Sequence, residues 1–148
     1  MKRSDIPSRK KNKPKVIQFP RILDKRGYLS FLENTKHIPF EIKRVYWIYD
    51  VPRDDVRGGH AYKELEEVII PLTGSFDVAV DDGSGREQIF NLNRPYEGLY
   101  VPGMTWRQLR HFSTNAVALI LASRPYDKDD YLYDYNEFIK IKSDQINL

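Results

Sequence analysis

The chain has 148 residues, the size of one domain, and 41% of them are hydrophobic, so it can hold a core without a disulfide or a structural metal. It contains no cysteine, which excludes a disulfide scaffold, a thiolate nucleophile, a Cys-ligated zinc and an iron–sulfur cluster. The net charge of +3 hides an asymmetry: Lys2, Arg3, Arg9, Lys10, Lys11, Lys13 and Lys15 face a single acid, Asp5, at the start, and the remaining residues are mildly acidic.

Residues 1–15 are therefore read as a basic, disordered leader, and residues 16–148 as a single domain. The leader lacks the interleaved aromatics of a single-strand binder, so no nucleic-acid partner is expected, and loss of salt-dependent DNA affinity on its deletion would be the sign of one. No apolar run reaches the roughly 18 residues of a membrane span, and no apolar stretch follows the basic one as in a secretory signal. The expectation is a soluble, cytoplasmic protein with no membrane partner.

From Val16 onward the pattern is short and strand-like. Val45, Trp47 and Tyr49 alternate with Tyr46 and Ile48; Glu67-Val68-Ile69-Ile70 leads into Gly74. Phe76, Val78 and Val80 alternate with Asp77, Ala79 and Asp81, which predicts a half-buried strand by its period of two. The tip Asp82-Gly83-Ser84-Gly85 joins it to Gln88-Ile89-Phe90 as a hairpin. Leu99-Tyr100-Val101 stops at Pro102-Gly103, and Val117 to Leu121 is a continuous apolar run, read as a strand buried on both faces. Only the C-terminal stretch predicts helix, with Asp134 capping a turn that carries Tyr135, Phe138 and Ile139 on one face. Many short strands at this spacing argue for an all-β sandwich or barrel.

The densest chemistry lies in Arg57-Gly58-Gly59-His60-Ala61-Tyr62-Lys63-Glu64-Leu65-Glu66-Glu67, followed by Gly74. In a strand, positions 60 and 62 share a face, and the glycines before them permit close backbone approach. This layout resembles the first motif of the cupins, in which two histidines one residue apart precede a glutamate and a glycine; here Tyr62 replaces the second histidine. The segment Gly98-Leu99-Tyr100-Val101-Pro102-Gly103-Met104-Thr105-Trp106-Arg107 fills the place of the second motif without a histidine. A cupin metal wants about three histidines and a carboxylate, whereas the whole chain has His37, His60 and His111, so no metal and no cofactor are expected.

Several separated segments together resemble the WxcM-like sugar 3,4-ketoisomerases. They are Asp24-Lys25-Arg26-Gly27-Tyr28-Leu29, Lys43 to Tyr49, Arg57 to Ala61, Gly98 to Val101 with Trp106, and Ala122-Ser123 with Tyr126-Asp127 and Asp130-Tyr131. The resemblance implies a cupin-type double-stranded β-helix, a jelly-roll barrel, with a short C-terminal helix. It also implies a metal-free homodimer acting on dTDP-4-keto-6-deoxyglucose, moving its ketone from C4 to C3 on the way to amino sugars of surface polysaccharide.

Such a reaction removes the C3 proton, passes through an enediolate and delivers a proton to C4, so it needs a base, a donor and an oxyanion holder. His60, at the position of the family's first histidine, is the natural base, since an ordinary imidazole titrates near neutral pH. Tyr62 is a poor base but a usable donor. Arg44, Arg57, Lys63 and Arg107 are the candidate cations for a diphosphate, and Trp106, Tyr46 and Tyr49 the candidate faces for thymine or sugar. Glu66 or Glu67 serves acid–base work or pairs with Lys63, and Asp127, Asp129 and Asp130 fix the exit from the last strand. Two other readings stand beside this one: an epimerase on a related nucleotide-linked keto sugar, and a non-catalytic sugar-nucleotide binding module in which Tyr62 marks lost chemistry.

Overall fold

A computed structural model describes residues 12–146 of the chain. The leader lies outside the described residues up to position 11, and Lys15 already belongs to the first strand. In chain order the elements are β1 (Lys15–Gln18), β2 (Arg21–Asp24), β3 (Gly27–Ser30), β4 (Arg44–Ile48), β5 (Arg57–Tyr62), β6 (Glu67–Thr73), β7 (Phe76–Asp81) and β8 (Glu87–Leu92). Then come β9 (Glu97–Val101), β10 (Trp106–Arg110), β11 (Val117–Ala122), a short 3-10 turn (Lys128–Asp130), β12 (Tyr131–Leu132) and α1 (Tyr135–Ile146).

Two five-stranded antiparallel sheets face each other, in the orders β1-β9-β6-β11-β4 and β12-β5-β10-β7-β8, and β2 and β3 form a separate hairpin. This is the expected jelly-roll barrel. No helix of the described residues is long and apolar enough to cross a membrane.

The period of two sorts side chains into three apolar layers. Between the sheets lie Ile69, Phe76, Val78, Val80, Leu92, Leu99, Val101, Leu109, Ala118 and Ile120. The alternate positions Val68, Ile70, Tyr100 and Leu121 turn outward from the first sheet and pack under Phe19, Ile38 and Phe40 of the N-terminal segment. Ala61, Met104, Leu132 and Phe138 fill the space between the second sheet and α1, with Trp106 against them. The apolar run of β11 thus has a covered layer on each side.

The helix begins where the sequence places it. The Asp134 carboxylate accepts the Glu137 N–H at 3.0 Å, satisfying one of the orphan donors of the first turn, and Phe138 is the buried contact of the helix. It runs on to Ile146 and changes the expectation for β7. Ala79 and Asp81, expected to face water, are buried; Tyr135 of the helix donates its hydroxyl to Asp81, and Lys142 lies over the neighbouring Gly83.

Candidate active site

The interior of the barrel changes character along its axis because neighbouring strands switch from apolar to polar at one level. On β4 the inward positions are Ile48, Tyr46 and Arg44; on β6 they are Ile69 and Glu67; on β10, Leu109 and Arg107. Arg107 lies opposite His60 in the β5–β10 pairing, at a bulge that sets Gln108 opposite Gly58. Gly58 has φ +95°, and a Cβ there would stand 2.7 Å from Arg107 Nη1, so only glycine lets the arginine pass beneath β5.

Arg107 and Glu67 form the floor of the site. Arg107 is 2% and Glu67 1% exposed, and Arg107 Nη2 reaches both Glu67 oxygens at 2.9 Å and the Tyr46 hydroxyl at 2.9 Å. A charge pair this deep survives only because each partner neutralises the other. Burial works against the Arg107 charge, but Glu67 and the neighbouring phenols outweigh it and keep the guanidinium protonated. The Tyr46 phenol is pushed up to about 12, first by burial and then by Glu67.

Above this floor sits an aromatic group around His60. Its ring centroid is 4.9 Å from that of Tyr62, edge-on, 5.2 Å from Tyr131 and 6.1 Å from Tyr133. Tyr62 donates its hydroxyl to that of Tyr131 at 3.4 Å, as the direct pairing of these residues between β5 and β12 dictates. Tyr133 stacks on Tyr131 at 5.2 Å, and Tyr126 closes on Tyr131 at 5.8 Å. Burial, and then the charge of Arg107, lowers the His60 imidazole to about 3, so it is neutral at every physiological pH. Burial first, then Glu67, pushes the Tyr62 phenol upward, so it holds its proton.

Nearly all buried polar atoms in proteins have partners, so those without one are informative. Among the described residues the buried side-chain nitrogens without a hydrogen-bond partner are Arg44 Nε, His60 Nε2 and Arg107 Nε, all in this part of the barrel. The unpartnered nitrogen of this neutral imidazole is free to accept a proton, but at about 3 it is a weaker base than the ordinary imidazole expected from the sequence, because burial and Arg107 both disfavour its charged form.

Of the residues expected at the site, the fold gathers His60, Tyr62, Tyr46, Arg44 and Arg107. It gives Arg107 a different place from the one expected: enclosed and held by Glu67, it is not offered to a diphosphate. Glu67 likewise pairs with Arg107 rather than Lys63, and Glu66 accepts the Tyr100 hydroxyl. Tyr49 lies beyond the end of β4, 60% exposed, beside a cavity of about 570 Å³ lined by Trp47, Leu72 and Leu119 on the outer side of the first sheet. Arg57 is exposed at the other end of β5 from Tyr62, about 16 Å along the strand. Lys63 is exposed just past β5, and Trp106 turns outward to pack edge-on against Tyr135 at 5.3 Å.

Tyr126, Tyr131 and Tyr133 are the site residues that were not singled out as such. Tyr131 and Tyr133 alternate around Leu132, a stretch too short to read as a strand, and Tyr126 and Tyr131 stand out in the sequence only through the family resemblance. What holds β12 in place is Asp130, whose carboxylate accepts the Glu64 and Leu65 N–H groups at 2.9 and 3.1 Å. Of the aspartates after β11, Asp127 accepts the Asp129 N–H at 3.0 Å to cap the short 3-10 turn, and Asp130 places Tyr131 over Tyr62. No group of three or more metal-ligating side chains occurs among the described residues.

Residues 12–143 match the family described as FdtA: WxcM-like, C-terminal. The chain belongs to this family. Within it, the chain is similar to a TDP-4-oxo-6-deoxy-alpha-D-glucose-3,4-oxoisomerase of Aneurinibacillus thermoaerophilus, 45% identical over 126 residues that cover 85% of this chain and 90% of the relative. Two solved structures superpose closely. A 3,4-ketoisomerase from Helicobacter canadensis has a TM-score of 0.85 and 45% identity, covering 88% of this chain and 97% of that one. QdtA, a sugar 3,4-ketoisomerase from Thermoanaerobacterium thermosaccharolyticum in complex with TDP, has a TM-score of 0.86 and 39% identity, covering 89% and 96%. These two FdtA-like structures thus share most of the barrel described here.

Proposed function

We propose that this chain is a sugar 3,4-ketoisomerase that moves the ketone of dTDP-4-keto-6-deoxyglucose from C4 to C3. The observation that carries the reading is His60 Nε2, buried, unpartnered and ringed by phenols. Membership of the family, and a relative named for the same 4-oxo-6-deoxy sugar, support the substrate.

The chemistry assigns a task to each group. His60 Nε2 takes the proton from C3; the C3–H electrons form the C3–C4 double bond, and the carbonyl electrons move onto O4. The hydroxyl proton on O3 shifts to O4, and C4 then receives a proton while C3 becomes the carbonyl. Tyr62 supplies that proton, Tyr131, to which it is hydrogen-bonded, restores it, and the proton taken up by His60, whose ring lies 5.2 Å from that of Tyr131, returns to the Tyr131 phenolate so that all three groups are reset. A neutral base and a phenol that keeps its proton are the two states the cycle needs at its start. Lys63 and Arg57, exposed at either end of β5, remain the candidates for the diphosphate.

The same proposal includes a homodimer and a cytoplasmic location. Support for association comes from Ile22, Leu23, Tyr28 and Leu29 of the β2–β3 hairpin and from Val45 and Trp47 of β4, all exposed in a single chain.

Proton NMR of the purified protein with dTDP-4-keto-6-deoxyglucose in heavy water tests the reading. The expected result is a 3-keto product carrying deuterium at C4. Inversion at a carbon with the ketone left at C4 would make the protein an epimerase. Binding with no exchange at either carbon would leave the binding-module reading.

A further inference from the structure

The barrel interior contains two arginines with different surroundings. Arg107 is enclosed and neutralised by Glu67. Arg44 projects inward from the same face of β4 as Tyr46, one step nearer the mouth, and has no carboxylate partner among the described residues. Its guanidinium lies 5.1 Å from the centre of the Tyr46 ring and 5.5 Å from that of Tyr126, so two aromatic faces hold it. The Tyr131 phenol meets the guanidinium as a hydrogen-bond partner and the Tyr62 phenol as an electrostatic neighbour, which places it beside the pair that flanks His60. Its Nε is buried and donates to nothing.

We propose that Arg44 is a catalytic residue that holds the enediolate oxygen, rather than a cation for the diphosphate. Three observations separate these roles. A fixed, partly desolvated guanidinium whose Nε–H has no partner is what a charge that develops during the reaction requires. The position is inside the barrel with the His60 group, whereas Lys63 and Arg57 are exposed and suited to a diphosphate that stays charged throughout. The other interior guanidinium already has its anion. In the reaction the C3 proton goes to His60 while negative charge builds on O4; Arg44 Nε–H donates to that oxygen, and the bond strengthens as the charge forms. No atom is exchanged with the arginine. The inference rests on the ketoisomerase reading and adds to it a third group beside His60 and Tyr62.

The test combines kinetics with TDP binding for the full-length wild type, Arg44→Met and Arg44→Lys, with circular dichroism melts to establish folding. Arg44→Met is expected to lose about 10²- to 10³-fold in kcat and in the rate of C3 deuterium exchange, with its affinity for TDP changed by less than about twofold. Arg44→Lys, which keeps a charge but lacks Nε, is expected to fall between Arg44→Met and the wild type. If Arg44→Met does not fold, a drop of about tenfold in kcat for Arg44→Lys, with TDP binding retained, carries the same conclusion. Retained kcat at saturating substrate with TDP binding weakened about tenfold or more would give Arg44 to the diphosphate and overturn the proposal. Unchanged kcat and unchanged TDP binding would make it a spectator. A wild type that binds TDP but neither converts nor exchanges the keto sugar would refute the ketoisomerase reading itself, a failure distinct from an active wild type with an unaffected Arg44 variant.

Discussion

On β10, Leu109 and Arg107 stand two residues apart on the same face, the first in the apolar plug of the barrel and the second in its polar floor. On β6 the same step leads from Ile69 to Glu67, and on β4 from Ile48 to Tyr46. Three strands change from apolar to polar at one depth, and the two halves of the interior then obey different rules. In the plug every side chain contributes by excluding water, so its worth is measured in stability. In the mouth, buried nitrogens are left without partners, which costs stability and, on the proposed function, leaves them for a substrate to satisfy. Stability and reactivity are thus divided along the barrel axis, with the Glu67–Arg107 pair as the boundary.

Arg107→Met leaves the Glu67 carboxylate buried and unpaired, and is expected to cost about 3–5 kcal/mol of unfolding free energy in a denaturant titration. Leu109→Ala tests the plug alone: about 2–5 kcal/mol less stability, with kcat of the surviving folded protein unchanged in a steady-state assay.

The pH dependence sharpens the description of the mouth. An unfolded histidine titrates near the ordinary 6.5, but folded His60 resists protonation down to about 3. Below 6.5 the unfolded chain takes up a proton that the folded one refuses, so stability is lost as the pH falls from 6.5 toward about 3. Thermal melts of the wild type are therefore expected to fall more steeply over that window than those of His60→Asn. By the same shift, a kcat/KM profile should show no limb near pH 6.5. The smallest effect is expected from Tyr49→Ala on the outer face, where kcat should stay within about twofold of wild type in the same assay.

Much of this architecture is legible in the sequence because it depends on local alternation. Phe76, Val78 and Val80 gave away their strand, and Asp134 the start of the helix. His60 and Tyr62 could be placed on one face for the same reason. What alternation cannot show is which distant strand lies opposite. The anion that claims Arg107 is Glu67, 40 positions earlier, and without that pairing the arginine reads as a free cation. Trp106 looked like a ligand contact because nothing in its own strand shows that α1 will cover the outward face of β10. Tyr131 and Tyr133 sit at and just beyond a strand of two residues, whose place is set by Asp130 gripping the backbone at Glu64 and Leu65.

Deuterium exchange at C3, measured side by side for wild type and His60→Asn, decides whether a neutral His60 takes the C3 proton. Exchange and product are expected with the wild type. A loss of about 10²- to 10⁴-fold at C3 is expected with His60→Asn, while TDP still binds and the variant melts as a folded protein. Exchange at C3 by His60→Asn at the wild-type rate would place the base elsewhere.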